Sequence, residues 1–473
     1  MRRAPTRPAR LALLLALLLG AACGGGSAAE RPRNVILISL DTLRPDHLGC
    51  YGHARDTSPT LDALAARGVR FADASSAAPW TLPAHTTMFT GLYPSHHGVK
   101  DYSHRLRDEA LTLAEILQAR GFQTWAVINT WNLADPRFGV FQGFAPEDLH
   151  YVRETAPGKQ GAQVVLNTGR EVVRLARERL ERRDPARPFF LVAHFYDAHT
   201  DFTPDPEYRA RFVSPYSGRL DGSTAQLYAL REHGLVLAED DLRFLREMYD
   251  AEIRQLDDLL AGFLAYLAEE GLDQDTLLVV TSDHGEEFQE HGGLLHGRTQ
   301  FEELLRVPLI LAGPGVPEGR VVTAPVSLVD LMPTILGRLG LEAPAGLDGL
   351  DLAPAWDGAR LPERVLFGEA DHNNKVDGQP VIDIKRSARR GPHKLHLDRH
   401  TGTYALFDLA RDPGEQQDLL PGAGAELEPL RAALERFLAG GVAGAESGQA
   451  LSEEELELLR KLGYAGEADE GGK

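Results

Sequence analysis

Thr81 is followed by a proline two places on and a histidine four places on, within A-P-W-T-L-P-A-H-T-T-M-F-T-G (78–91). A free threonine hydroxyl is a poor nucleophile at neutral pH. A cation beside its oxygen lowers that oxygen's pKa and makes attack feasible. A helix N-terminus beneath it would stabilise negative tetrahedral or phosphoryl oxygens. Pro83 favours a first helical turn, which puts Thr81 at or just before the N-cap. A helix cap with no chemistry is the competing reading of the same residue.

Two other strand ends carry acids. N-V-I-L-I-S-L (34–40) runs into Asp41, and T-L-L-V-V-T (276–281) runs through Ser282 into Asp283-His284. In an open α/β sheet, sites form at the carboxyl ends of strands. Two carboxylates and an imidazole converging there suit one divalent ion, and these donors permit calcium, magnesium, manganese or zinc. A second ion would need further ligands from Asp197, His199 or His296.

These residues need a sheet to hold them. Besides the two strands above, apolar runs at 123–129, 188–195 and 307–311 read as strands. Ser58-Pro59 opens a helix to Arg67, with Gly68 as its stop. Further helices are expected over 111–120 and about 238–270. Strands alternating with helices predict an α/β sandwich with a mostly parallel sheet. Beyond about residue 340 the texture changes to a proline- and glycine-rich stretch, short strands at 365–367 and 394–397, and a helix near 426–438. This is read as a smaller α+β domain. Ser452 and Glu455 have capping-box spacing for a last helix ending at Leu462. The expected organisation is 1–22 signal peptide, 23–33 flexible tether, 34–342 catalytic domain, 343–445 C-terminal α+β subdomain, and 446–473 terminal helix and polar tail.

The 473-residue chain carries a formal net charge of -19, and its only strongly basic stretch is the first ten residues. That excludes the positive footprint a nucleic-acid binder needs. Four early arginines, a short apolar core at 11–19 and Ala21-Ala22-Cys23 form an export signal, too short to span a bilayer. Small residues before Cys23 resemble a bacterial lipoprotein signal, although Gly20 stands where leucine is usual. The expected location is periplasmic or cell-surface, with a membrane link through a lipid on Cys23. Cys50 is then the one cysteine left, so no intramolecular disulfide is expected.

Five stretches, in order, carry a resemblance: V-I-L-I-S-L-D-T-L-R-P-D-H-L-G-C-Y-G (35–52), A-P-W-T-L-P-A-H-T-T-M-F-T-G-L-Y-P-S-H-H-G-V (78–99), V-T-S-D-H-G-E-E-F-Q-E-H-G (280–292), H-G-R-T-Q-F-E-E-L-L-R-V-P-L-I (296–310) and Y-A-L-F-D-L-A-R-D-P-G-E (404–415). Together they resemble the sulfatase family of the alkaline phosphatase superfamily. The resemblance implies an alkaline-phosphatase-like sandwich and an ester hydrolase. It implies Asp41, Asp283, His284 and the Thr81 oxygen as metal ligands, with calcium usual in sulfatases and manganese or zinc in phosphoesterase relatives. Thr81 stands at the position of the catalytic formylglycine and His85 at that of an arginine. His199, in F-Y-D-A-H-T-D-F, resembles a histidine facing the leaving group, and His296 stands where many sulfatases place a lysine. Those four are the expected catalytic residues. Asn129, Arg44 and His291 are the expected substrate contacts.

The departures bear on the reaction. Threonine cannot be converted to formylglycine by the known route, and His85 breaks the recognition segment for that conversion. Thr42 replaces the second of two adjacent aspartates. A lysine and a histidine usual after the strand at 123–129 are missing. Branches of the superfamily with an unmodified Thr or Ser act mostly on phosphorus esters. The leading expectation is an exported, metal-dependent hydrolase or transferase of phosphate, phosphonate or sulfate esters working through Thr81. Its substrate would be a small molecule or a glycan or lipid-headgroup ester. The alternatives are an arylsulfatase-type sulfuric ester hydrolase and a non-catalytic surface binding protein. Like charges gathered without a cation repel, which weighs against the last.

Overall fold

An apolar run buried on both faces needs helices on both sides of it. N-V-I-L-I-S-L forms such a strand, β1 (Asn34–Leu40), with every residue buried. A computed structural model describes residues 31–152, 168–372, 374–376, 379–381, 384–422, 427–442 and 445–446. The expected signal peptide, most of the tether including Cys23, and the helix expected at 452–462 lie outside the described residues. Among the described residues no helix is long and apolar enough to cross a membrane.

After β1 come α1 (Pro59–Ala66), β2 (Val69–Ser75) and α2 (Thr81–Thr90). Next are β3 (Gln123–Ile128), β4 (Leu149–Tyr151), α3 (Gly169–Glu181) and β5 (Phe189–Phe195). The long helix α4 (Glu239–Glu269) leads to β6 (Thr276–Thr281) and β7 (Arg306–Ala312). Two short strands, β8 (Arg320–Val322) and β9 (Val326–Ser327), complete a nine-stranded sheet of order β8-β2-β7-β6-β1-β5-β3-β4, with β9 also on β2. Strand β1 is parallel to both β5 and β6, while β7 alone runs against its two neighbours. The fold is therefore the expected α/β sandwich with a mostly parallel sheet.

The alternation of β1 sorts its side chains between two cores. Ile36 and Ile38 pack with α4 residues such as Phe244, Met248 and Leu260 on one face. Val35 and Leu37 pack with Trp80, Leu82, Met88 and Phe89 of the α2 region on the other. Burying each such side chain contributes about 1.5–3 kcal/mol, so α2 is held firmly over the C-terminal half of β1.

A second, antiparallel sheet follows in simple meander order: β10 (Leu366–Ala370), β11 (Lys385–Arg390), β12 (His393–Asp398) and β13 (Thr403–Asp408). Helix α5 (Leu427–Ala439) covers it through Leu430, Leu434 and Phe437. Strand β11 reads K-R-S-A-R-R and was not anticipated, because its charge suggests a surface segment. Its Arg386 is fully buried, 2.8 Å from Asp371 and 3.2 Å from Glu369. Paired charge replaces apolar burial there. Glu369 also accepts from the Ser95 amide at 2.7 Å, and Arg389 pairs with Asp73, which seats this sheet against the first. Cys50 is half-buried, and burial together with the neighbouring Asp62 carboxylate pushes its thiol up to about 12.

Helix α1 starts as its Ser-Pro signal requires, but its exposed amides are met from another element. Asp257 of α4 accepts from the Thr60 and Leu61 amides at 2.8 and 2.9 Å. Asp257→Ala leaves both donors buried without a partner. It is expected to cost about 1–3 kcal/mol, read as a lower thermal midpoint with ester-hydrolysing activity retained at low temperature.

Candidate active site

The sheet register brings the chemistry to one edge. Ser39 of β1 lies level with His194 of β5 on one side and Thr281 of β6 on the other. Two residues beyond, the chain places Asp41 and Asp283 side by side. Side chains at matched positions of parallel strands share a face, so Ser39 and His194 both meet α2. Asp41, Asp283 and His284 are fully buried and gather into one cluster. The His284 Nε2 atom stands 3.6 Å from Asp41 Oδ1 and 3.4 Å from Asp283 Oδ2.

Backbone detail aims these groups. Thr42 adopts a left-handed conformation, φ 55°, which is costly for a β-branched residue. It points the Thr42 amide at Asp283 Oδ1 (3.3 Å), while the Thr42 hydroxyl turns away to the Ala198 carbonyl. His284 donates its Nδ1 proton to the Gly285 carbonyl (2.9 Å), leaving the Nε2 lone pair toward the two carboxylates. A Cβ on Gly285 would lie 2.0 Å from the Glu303 carbonyl oxygen, so only glycine permits this approach.

Several atoms of the cluster are buried without a hydrogen-bond partner: both oxygens of Asp41, Oδ2 of Asp283, and Nε2 of His284 and of His194. Buried polar groups are normally satisfied. Burial pushes the carboxyl pKa values of Asp41 and Asp283 up, and the neighbouring Asp41 charge raises that of Asp283 further. Acceptors only, facing one another in a dry place, are the donor set of a cation. The three sequence-expected ligands therefore fit a divalent ion.

Thr81 is the first residue of α2, and the cap is Trp80, which makes no side-chain cap bond. The reading of Thr81 as an N-cap does not hold, because the helix starts one residue earlier than the Pro83 signal suggested. Thr81 is buried, and its carbonyl accepts the Nδ1 proton of His85 at 2.9 Å. His85 is fully buried, accepts from Ser39 Oγ at Nε2 (2.9 Å) and lies 3.7 Å from Asp283 Oδ2. One turn of α2 thus ties the backbone of Thr81 to the metal-fitting carboxylates. Burial pushes the His85 imidazole down to about 4, so it is neutral at pH 7.

His199 and His296 come together on another side, with ring centroids 4.9 Å apart, and His296 lies 4.5 Å from the His284 ring. His199 stacks on Tyr196 and donates Nδ1–H to the Thr200 carbonyl. His296 Nδ1 is 3.1 Å from Glu286 Oε1. Burial pushes Glu286 up to about 8, so that carboxyl holds a proton at neutral pH.

Other expected site residues are engaged by partners within the protein. The Arg44 guanidinium is engaged by Asp46 (2.8 Å), Glu290 (2.7 Å) and the Glu286 carbonyl. His291 pairs with Glu303 and stacks on Phe301, bracing the edge toward the second sheet. Asn129 sits behind His194, accepting its Nδ1 proton at Oδ1 (2.8 Å) and donating to Thr168. Asp197 turns to the first amide of α3, accepting from Gly169 at 3.0 Å.

The sequence reading passed over His194, Ser39, Glu286 and His372. The first two had a signal: each is one polar residue near the C-terminal end of an otherwise apolar strand. His372, beyond β10, stacks on Trp80 with centroids 4.1 Å apart, and only the tertiary fold brings it there.

Comparison with known proteins follows this geometry. A family model described as "Sulfatase" matches residues 33–341. Human arylsulfatase A is 29% identical over 89% of this chain and 89% of its own length. The phosphonate monoester hydrolase of Agrobacterium radiobacter superposes with a TM-score of 0.69, at 25% identity over 90% of this chain and 99% of its own. A structure determined with D-glucosamine-2-N,6-O-disulfate as its substrate superposes with a TM-score of 0.71, at 21% identity over 87% of this chain and 98% of its own.

Relief of the buried like charges should be visible as stability. Chelator-treated protein is expected to gain several degrees in thermal midpoint when calcium, manganese or zinc is added. Asp283→Asn should abolish most of that gain, as differential scanning fluorimetry would read.

Proposed function

The chain belongs to the sulfatase family, and we propose that within this family of ester hydrolases it cleaves phosphate or phosphonate esters, with Thr81 as nucleophile. The observation that carries the reading is the start of α2. Thr81 stands at a buried helix N-terminus, its carbonyl tied through His85 to Asp283, whose Oδ2, like both oxygens of Asp41, has no hydrogen-bond partner. Asp41, Asp283 and His284 would hold one divalent ion. When bound, it supplies positive charge that lowers the pKa of a neighbouring hydroxyl and polarises the ester.

The chain's own groups account for the rest. The N-terminus of α2 favours the anionic oxygens of the bound ester. Thr81 Oγ, its proton given up to solvent, attacks phosphorus, forming the Oγ–P bond as the bond to the leaving oxygen breaks. That oxygen takes a proton from the His296 side, where the Glu286 carboxyl backs the imidazole with a stored proton. Water then attacks phosphorus, and the Oγ–P bond breaks as Thr81 Oγ takes up a proton from solvent, restoring the hydroxyl. The His296 side, having given up its proton, takes the water's proton, while His199 lines the same side with Nδ1–H held by the Thr200 carbonyl and Nε2 3.3 Å from the Tyr196 hydroxyl. Unlike a hydrated aldehyde, a threonine ester cannot break down by itself, which favours phosphorus over sulfur chemistry.

A second reading is a sulfuric ester hydrolase, supported by the 29% identity to arylsulfatase A across nearly the whole chain. Matched nitrophenyl sulfate, phosphate, phosphodiester and phosphonate esters separate the two. Turnover of a phosphorus ester that vanishes in Thr81→Ala and partly survives in Thr81→Ser is the expected result. Sulfate turnover that persists in Thr81→Ala would overturn the nucleophile.

The acid assignment has its own signature. His296→Gln is expected to slow alkyl esters by about 10²–10⁴-fold. Nitrophenyl esters, whose leaving group needs no proton, should slow far less. Equal loss on both would remove His296 from the proton path.

A further inference from the structure

We propose that the leaving group of the natural ester carries an anionic group of its own, and that Arg231 binds it. The inference rests on the ester cleavage proposed above, with His296 on the leaving-group side.

The last turn of the helix Thr224–Glu232 lays Arg231 over the Tyr228 ring, its Cζ 4.2 Å from the centroid. Only 4% of the Arg231 side chain is exposed. A buried guanidinium is normally met by carboxylates at hydrogen-bond distance, as Arg386 is by Asp371 at 2.8 Å. Among the described residues the one ion pair of Arg231 is with Glu232, at 3.8 Å, and Glu232 already pairs with Arg298. The Arg231 Nε atom has no hydrogen-bond partner, and Nη1 lies 3.4 Å from the His296 carbonyl. Burial and the nearby Arg298 charge pull the guanidinium down from its ordinary value, yet arginine keeps its charge at neutral pH. The fold therefore holds a desolvated cation that its own acids do not fully neutralise.

Position ties this cation to the reaction. Arg231 and His296 border one cavity of about 260 Å³, with Arg298 also in its lining. Glu287 lines it too, but its carboxyl is turned to the Gly293 and His291 amides at 2.8 and 3.3 Å. The turn that carries His296 also adjoins the nucleophile's wall: a Cβ on Gly297 would lie 3.0 Å from His372 Cδ2, and His372 stacks on Trp80, next to Thr81. A leaving group protonated from the His296 side has Arg231 and the cavity beside it. The planar guanidinium, with Tyr228 against its face, suits two oxygens of a carboxylate or phosphoryl group at once. A neutral alcohol would leave Arg231 desolvated and underpaired, whereas an anion completes it.

The test reads binding, so it stands apart from turnover. Phosphonates with a carbon–phosphorus bond, which ester cleavage does not break, are titrated calorimetrically into the purified, calcium- or manganese-loaded chain without its first 22 residues. The series is ω-phosphonoalkanoates and α,ω-bisphosphonates of about two to six methylenes, each against the plain alkylphosphonate of the same length. In at least one pair the acid-tipped ligand is expected to bind roughly 10–100-fold tighter, the worth of hydrogen bonds to a charged partner. The better tip tells a carboxylate from a phosphoryl group. Arg231→Gln should bring that ratio near one, and Arg231→Lys, which keeps the charge but not the fork, should retain part of it. Circular dichroism and thermal midpoints check that both variants fold. No preference at any length overturns the inference. A preference that survives in Arg231→Gln overturns the part given to Arg231. An Arg231-dependent preference in a chain that turns over no phosphorus ester overturns the proposed reaction instead and leaves the anion seat standing.

Discussion

Two carboxylates, Asp41 and Asp283, are fully buried just beyond the ends of neighbouring parallel strands, and among the described residues no lysine or arginine forms an ion pair with either. Everything around them is arranged to make that arrangement bearable. The Thr42 backbone is forced left-handed to bring an amide to Asp283. His284 is turned so that a lone pair, not a proton, faces them. Such an assembly is unstable by itself, because like charges in low dielectric repel and each unpartnered acceptor carries its full desolvation cost. A cation held by these acceptors would relieve both costs.

The scaffold meets the requirement by rigidity. Adjacent parallel strands hold Asp41, His194 and Asp283 by register, and register in a sheet covered on both faces cannot slip without turning every side chain over. Helix α2 is fixed on one of those faces by Trp80, Leu82, Met88 and Phe89, so Thr81 and His85 reach the carboxylates with little freedom. The second sheet adds His372 to the wall beside Trp80 and is itself seated by buried ion pairs. Removing one member of such a pair is costly, so the seating also fixes where the wall stands.

Five strands of the main sheet were legible because each is a continuous apolar run, and two of them, β1 and β6, lead directly into acids. Asp41, Asp283 and His284 were legible for the same reason: chemistry sits where the apolar run stops. Strand β11 was not, since its charges are satisfied by partners far away in sequence. The N-cap reading of Thr81 failed because Pro83 fits the third helical residue as readily as the first, both lacking an intrahelical donor requirement. Arg44 and His291 were plausible anion contacts by type, yet only the fold shows that carboxylates already engage them.

His194 is the most informative omission. In F-F-L-V-A-H-F it looks like a stray polar residue in a buried strand, and Asn129 looks like a loop residue after another. Register joins them: β5 lies between β1 and β3, so the one imidazole can touch Asp41 on one side and Asn129 on the other. A residue type chosen for hydrogen bonding would be paired at both ring nitrogens. Here one is paired and the other is left facing two acceptors. That asymmetry makes the imidazole part of the buried polar cluster beside Asp41 rather than of the strand's apolar core.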